Sequence, residues 1–447
     1  MATQVKAVEK PWSELTPDEK LEKRLDAWLS PPGVKFVSPE AEAGYKARVT
    51  RLTDAIRLKK TPDRVPVMPG LGEFAINYYG YNQYDMMYNV DKCIDVAMRA
   101  TQEFDLDQRI VPFQRLGKVL ELTDSKTYRW PGHGMPLDGE AQFIEDEYMK
   151  ADEYDAFLED ASDWYIRTFL PRTMGNIGPI GIFTYGSNAT ERISEFGKPE
   201  ARAAMEKLLE AGKVALAWQE KMAACNKKLT ELGYPNLTGS NSGAPFDRLS
   251  DNLRGQRGIA LDMYRQPEKL LKALDKVTKM MIESGVKGAR MGNAPVVNFN
   301  LHKGADGFMS DEQFKTFYWA SLRKVILGLR EEGLMSRLGA QGGYNTRLEH
   351  IRDIPKGWTI WALGYATDMG KGKEALKGTA CIMGNLLASL LHAGTKEDVI
   401  ASCRYLIDVA GKGGGYLFST SSIDRNAKPE NVWAMVKFVK EYGIYSR

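Results

Sequence analysis

Cysteine is scarce in this chain. Its four residues, Cys93, Cys225, Cys381 and Cys403, stand far apart and none forms a C-x-x-C pair. That excludes a zinc knuckle and a disulfide framework as the basis of the fold, and a reducing cytoplasm is the expected compartment. Charge of one sign is missing as well. A net charge of +3 over 447 residues gives no reason to expect a nucleic acid or another polyanion as partner. No apolar run approaches the roughly 20 residues needed to cross a bilayer. Residues 1–29 are charged where a signal peptide would be apolar, so no membrane partner is expected. Nucleotide loops are also lacking. Gly70 and Gly72 follow a β-like run without the third glycine of a dinucleotide fingerprint, and no G-x-x-x-x-G-K-[ST] occurs.

What is present is a rhythm. Hydrophobic residues make up 43%, enough for a large core. The first 60 residues are polar and helical in style, and Thr16 followed by Pro17, Asp18 and Glu19 predicts a helix start. From residue 64 onward β-like runs stand at 64–68, 108–113, 293–300, 337–341, 358–363, 380–383 and 416–419. Helical patterns stand between them, at 89–103, 152–170, 198–232, 311–332, 372–376, 396–410 and 428–442. The stretch 124–151 reads as an irregular insertion. Strands alternating with helices at this spacing imply parallel βα units. An open sheet and a closed barrel both fit the rhythm, but an open sheet would carry a nucleotide loop after its first strand. The expected fold is therefore α/β: a (β/α)8 barrel over 61–447, preceded by a helical arm over 1–60. Such an arm packs across a barrel end or a partner subunit, and a homodimer is one assembly it allows.

Four stretches of the last third then carry a resemblance: ACIMGN at 380–385, GTKEDV at 394–399, GGGYLFSTS at 413–421 and AKPENV at 427–432. With RVPV at 64–67, they resemble the uroporphyrinogen decarboxylase superfamily. Within it, LHKGADGFM at 301–309 and GYNTRLE at 343–349 look closest to the corrinoid-linked O-demethylase methyltransferases. The resemblance implies a barrel enzyme, a corrinoid carried on a partner protein, and a small-molecule substrate. Two departures stand out. The arginine-rich N-terminal segment with which the decarboxylases grip substrate carboxylates is not recognisable around 68–73. The thiol-directed methyltransferases use a His-x-Cys zinc pair, which does not occur here. The zinc ligands of the O-demethylases would fall at Gln341, Ala362 and Ile326, none of which can replace them. No zinc is expected.

Reactive groups of a (β/α)8 barrel follow the C-terminal ends of its strands. That rule selects His302 and Asp306 for proton transfer, with Lys303 beside them. Tyr344 and Asp368 are further catalytic candidates, although Asp368 also suits a helix N-cap. Gln341, Asn345 and Asn385 are amides able to orient a substrate without ionising. Arg347 can hold a carboxylate or phosphate bidentately, or else pair with Glu349. Ser421 ends the last strand and Glu73 follows the first. The residues His302, Asp306, Gln341, Tyr344, Asp368 and Asn385 are expected to converge on one cavity. Three functions remain open on this reading: methyl transfer between a corrinoid and an aryl methyl ether or pterin, metal-free decarboxylation or lysis of an anionic substrate, and a non-catalytic corrinoid- or porphyrin-binding barrel.

Overall fold

The irregular stretch at 124–151 contains a small sheet of its own, β1 (Tyr128–Pro131), β2 (Gly134–Met135) and β3 (Gln142–Phe143). The main sheet lies beyond it. In the computed structural model, which describes residues 10–112, 115–182, 189–290 and 292–445, six strands pair in chain order and every pair is parallel. They are β4 (Ser240–Asn241), β5 (Val296–Leu301), β6 (Met335–Ala340), β7 (Thr359–Leu363), β8 (Cys381–Leu386) and β9 (Tyr416–Thr420). Three of the five longer strands fall within two residues of the expected positions; β5 starts three residues later and β8 runs three residues further.

Two more chain segments close the sheet into a barrel. Segment 65–70 lies beside β9: Phe418 N donates to Pro66 O at 2.9 Å, Met68 N to Phe418 O at 2.9 Å and Ile423 N to Gly70 O at 2.9 Å. Asp107 N then reaches Val67 O at 3.2 Å, Arg109 N reaches Pro235 O at 2.8 Å, and Gly239 N reaches Val296 O at 2.9 Å. Eight positions thus complete the ring expected of a (β/α)8 barrel. The segment at 108–113 takes its place in the wall without forming a strand over its described part, and Phe113 lies outside the described residues. The sequence reading also missed the third position, whose regular part is only the two residues of β4.

Where the ladder is this thin, side chains do the joining. Asp107 is fully buried; it accepts from Arg51 at 2.5 Å, from Arg64 at 2.7 and 2.9 Å, and from Val67 N at 2.6 Å. Arg51 also binds Asp63 with two bonds of 2.6 Å. A buried carboxylate is tolerated because every lone pair finds a donor.

The arm forms two helices, Pro17–Leu29 and Pro39–Arg57. The first starts with the expected Thr16 cap, completed by Glu19 as a capping box. Both run across the N-terminal end of the barrel, where Lys20 donates to Glu331 O at 2.8 Å and Arg57 to Gly357 O at 2.7 Å. Leu21, Trp28 and Tyr45 are buried in the same apolar core as the barrel. Between the second and third wall positions the chain makes a long excursion that includes the 33-residue helix Pro199–Glu231. Among the described residues no helix is long and apolar enough to cross a membrane.

Candidate functional site

Alternate residues of a barrel strand face inward. In β5, Val297, Phe299 and Leu301 are buried toward the surrounding helices, and Asn298 and Asn300 take the inner face. In β6 the inner positions are Arg337 and Gly339; in β7 Ala362; in β8 Met383 and Asn385. Together they line a cavity of about 710 Å³ that opens at the C-terminal end of the strands.

Among the described residues, Arg337 is the only charged side chain lining it. Its Nη1 donates to Asn298 Oδ1 at 2.7 Å, and no carboxylate pairs with it among the described residues. Burial alone pulls its pKa down, and a guanidinium stays protonated through such a shift. Gly339 makes the room. A Cβ there would stand 3.0 Å from Phe299 O and 3.5 Å from both Arg337 Nη1 and Asn300 Oδ1. No Asp, Glu, His or Cys lines this cavity among the described residues. The arrangement can bind an anion, or stabilise one as it forms; among the described residues the phenol of Tyr365 is the one lining side chain other than Arg337 that titrates.

Of the six residues expected to converge, Gln341 and Asn385 line the cavity, and Ser421 joins them. Asn385 Nδ2 donates to Gly364 O at 3.0 Å and Thr367 O at 2.8 Å, which fixes its amide at the rim. The other candidates are placed elsewhere. His302 turns away from the cavity and pairs through Nδ1 with Asp251, which raises its pKa. Lys303 Nζ stands 3.5 Å from the same carboxylate. The turn they occupy is held by Asp247, a buried carboxyl that accepts from His302 N at 3.0 Å, Lys303 N at 2.9 Å and Tyr318 OH at 2.8 Å. Burial, then the nearby charge of Asp251, pushes Asp247 up to about 6.

Asp306 accepts from Thr346 Oγ1 at 2.7 Å, so it ties the loop after β5 to the loop after β6. Asn345 donates to Ala366 O and accepts from Asp368 N, both at 2.9 Å, which ties that loop to the next. Asp368 caps the helix Met369–Leu376 through Lys371 N. Tyr344 is fully buried, and Gly304 packs so closely that a Cβ there would meet its hydroxyl at 2.5 Å. Arg347 is buried on Asp311 and on Met309 O, not paired with Glu349. Glu73 accepts from Gln83 at 3.3 Å, its pKa raised by burial and then by Glu140, and it lines no part of the cavity. The physical reason is common to all of these. Short polar side chains in loops satisfy neighbouring backbone groups first, and position after a strand does not say which way they turn.

Reasoning from strand ends missed Asn298, Asn300 and Arg337, which sit within strands. Their signal was available: polar residues at period two inside otherwise apolar runs. Of the three positions aligned with zinc ligands, Gln341 and Ala362 do line the cavity, and Ile326 is buried in the helix Ala320–Glu331.

The model of the family described as uroporphyrinogen decarboxylase (URO-D) matches residues 194–442. Among curated relatives, uroporphyrinogen decarboxylase of Neisseria meningitidis is 26% identical over 258 residues, 54% of this chain and 71% of that one. The Geobacter metallireducens protein of the same name is 26% identical over 202 residues, and the match spans 58% of its length. Among solved structures, a methyltransferase from Methanosarcina mazei superposes with a TM-score of 0.58 at 18% identity, covering 88% of this chain and 98% of that one. At that identity the likeness speaks for the barrel fold alone. The chain belongs to the uroporphyrinogen decarboxylase family.

Proposed function

We propose that this member of the uroporphyrinogen decarboxylase family moves a methyl group between a corrinoid on a separate protein and an oxygen of a small substrate, such as an aryl methyl ether, seated on Arg337. One observation carries this: an unpaired guanidinium among amides, in a cavity whose described lining has no carboxyl, imidazole or thiol. Removing a methyl group from an ether oxygen leaves an oxyanion. Arg337, with the Asn298 and Asn300 amides beside it, stabilises that charge as it develops, so no proton needs to be delivered. Gln341, Asn385 and Ser421 orient the substrate at the rim. His302, Asp306, Tyr344 and Asp368 act at one remove, by holding the loops. A corrinoid, when bound, supplies a cobalt centre that gives or takes the methyl group. No lining side chain is a histidine or cysteine able to ligate cobalt, so the corrinoid fits as the cargo of a docked protein over the open mouth.

A second reading keeps the same arginine. A substrate carboxylate on Arg337 would suit a metal-free decarboxylase, the activity named for the relatives, with the carbanion protonated by water. Incubation of the protein with reduced cobalamin and guaiacol separates the two. Catechol should form, and Arg337→Gln should slow its formation by about 10²-fold or more. Equal rates in wild type and Arg337→Gln would sink the assignment. Carbon dioxide release from a substrate carboxylate, with no catechol, would favour the decarboxylase, and neither product would favour a binding role.

A further inference from the structure

At the opposite end of the barrel, where the strands begin, lies a second depression of about 310 Å³. Six lysines reach it from four separate stretches of chain: Lys59 and Lys60 after the arm, Lys356 before β7, Lys373 and Lys377 before β8, and Lys412 before β9. No acidic residue lines it among the described residues. Of the six, Lys59 alone is ion-paired among the described residues, with Glu22 at 2.9 Å. Asp54 lies near enough to Lys60 for its charge to be felt.

The density of charge is anomalous for a chain whose net charge is only +3. Like charges held together repel, and an arrangement that keeps them together needs a counter-charge. Lys373 registers the repulsion. Its Nζ is held over the turn by Gly414 O, and burial together with Lys377 pushes its pKa down. The floor is equally particular. Gly413, Gly414 and Gly415 adopt φ of 78°, 77° and 67° in succession, a left-handed run that only glycine adopts without strain. The lysines therefore stand around a turn that itself carries no side chains, with Leu58, Leu376 and Ile382 beside it.

We propose that this depression binds a small polyanion of the pyrophosphate class, either free pyrophosphate or the phosphate chain of a nucleotide. Its volume is at the small end for ligand sites, which suits two or three linked phosphates. Lysine ammonium groups are compact point charges that serve phosphate oxygens without a fixed fork geometry. The site is separate from the cavity at Arg337, so the two can be tested independently.

The test is calorimetric titration of the full chain with sodium pyrophosphate, ATP and orthophosphate in turn. One pyrophosphate should bind per chain, with affinity that falls as salt rises. Lys356→Gln/Lys377→Gln/Lys412→Gln should weaken binding about tenfold or more, and Arg337→Gln should leave it unchanged. This variant keeps Lys373 and its bond to Gly414; if it fails to fold, Lys356→Glu on its own is read instead. ATP binding tighter than pyrophosphate identifies a nucleotide as the ligand, and the reverse identifies free pyrophosphate. No saturable binding to the wild type up to about 10 mM overturns the proposal. So does equal binding by the lysine variant, or loss of binding in Arg337→Gln alone.

Discussion

The barrel wall has two unlike sides. From β5 to β9 it is a continuous parallel ladder, with five or six residue pairs in register on three of its four edges and three on the edge between β7 and β8. From 65–70 through 107–109 to β4 it is held by scattered single hydrogen bonds and by the charges around Asp107. The ladder side satisfies its backbone by itself, and so can spend inner side chains on Asn298, Asn300 and an unpaired Arg337. The thin side spends its charged side chains on closure. Charge inside this barrel thus has two meanings, and pairing tells them apart.

Substitutions should separate them. Asp107→Asn takes the carboxylate from Arg64 and one of two from buried Arg51, which keeps Asp63, and should cost about 3–5 kcal/mol in denaturant unfolding; a loss below about 1 kcal/mol would show that the ladder alone closes the ring. Gly339→Ala, on the ladder side, presses a methyl group toward a backbone carbonyl of β5 and should cost about 1–2 kcal/mol, with weaker substrate binding. Arg337→Met removes a buried charge that nothing neutralises, and should leave unfolding free energy unchanged or raised by up to about 1 kcal/mol. A marked fall in stability would mean that Arg337 has a structural partner after all.

The smallest effect concerns pH. Asp247 is raised toward 6 and His302 is raised above its ordinary 6.5. Both groups bind protons more tightly in the folded chain. Their contribution to stability is therefore full below about pH 4 for Asp247 and below about 6.5 for His302, and each is lost as pH rises through its folded pKa. Asp251→Asn removes the principal cause at His302 and the second cause at Asp247. It should flatten the stability profile from about pH 4 upward, and the His302 ring resonances should titrate at lower pH. An unchanged midpoint would refute the pairing.

The rhythm of strands and helices was legible because a wall position repeats with its helix, and periodicity survives errors of two residues at either end. Two wall positions were harder. β4 is two residues long, and 107–109 holds its place through Asp107, whose meaning depends on Arg51 and Arg64 arriving from elsewhere. The site was legible in place but not in content. Strand ends led correctly to Gln341, Asn385 and Ser421. The same rule selected Asp306, Asn345 and Asp368, which look alike in sequence yet turn to the backbone of the next loop. Arg337 was passed over as part of a β-like run, although a lone cation at an inner position of an apolar strand was the most informative residue in it.

The excursion between the second and third wall positions bears on the order in which the molecule assembles. Arg109 and Pro235 meet across a loop on the order of a hundred residues long, whereas β5 to β9 join neighbours separated by one or two helices. Closing a long loop costs entropy before any contact repays it. The five-strand arc should therefore condense first and the seam at Arg109 should zip last. In native-state hydrogen exchange the Arg109 amide should open at lower free energy than those of Leu338 and Trp361, so that the ring behaves as a spring clip whose catch borders the working cavity through Gln108 and Thr238.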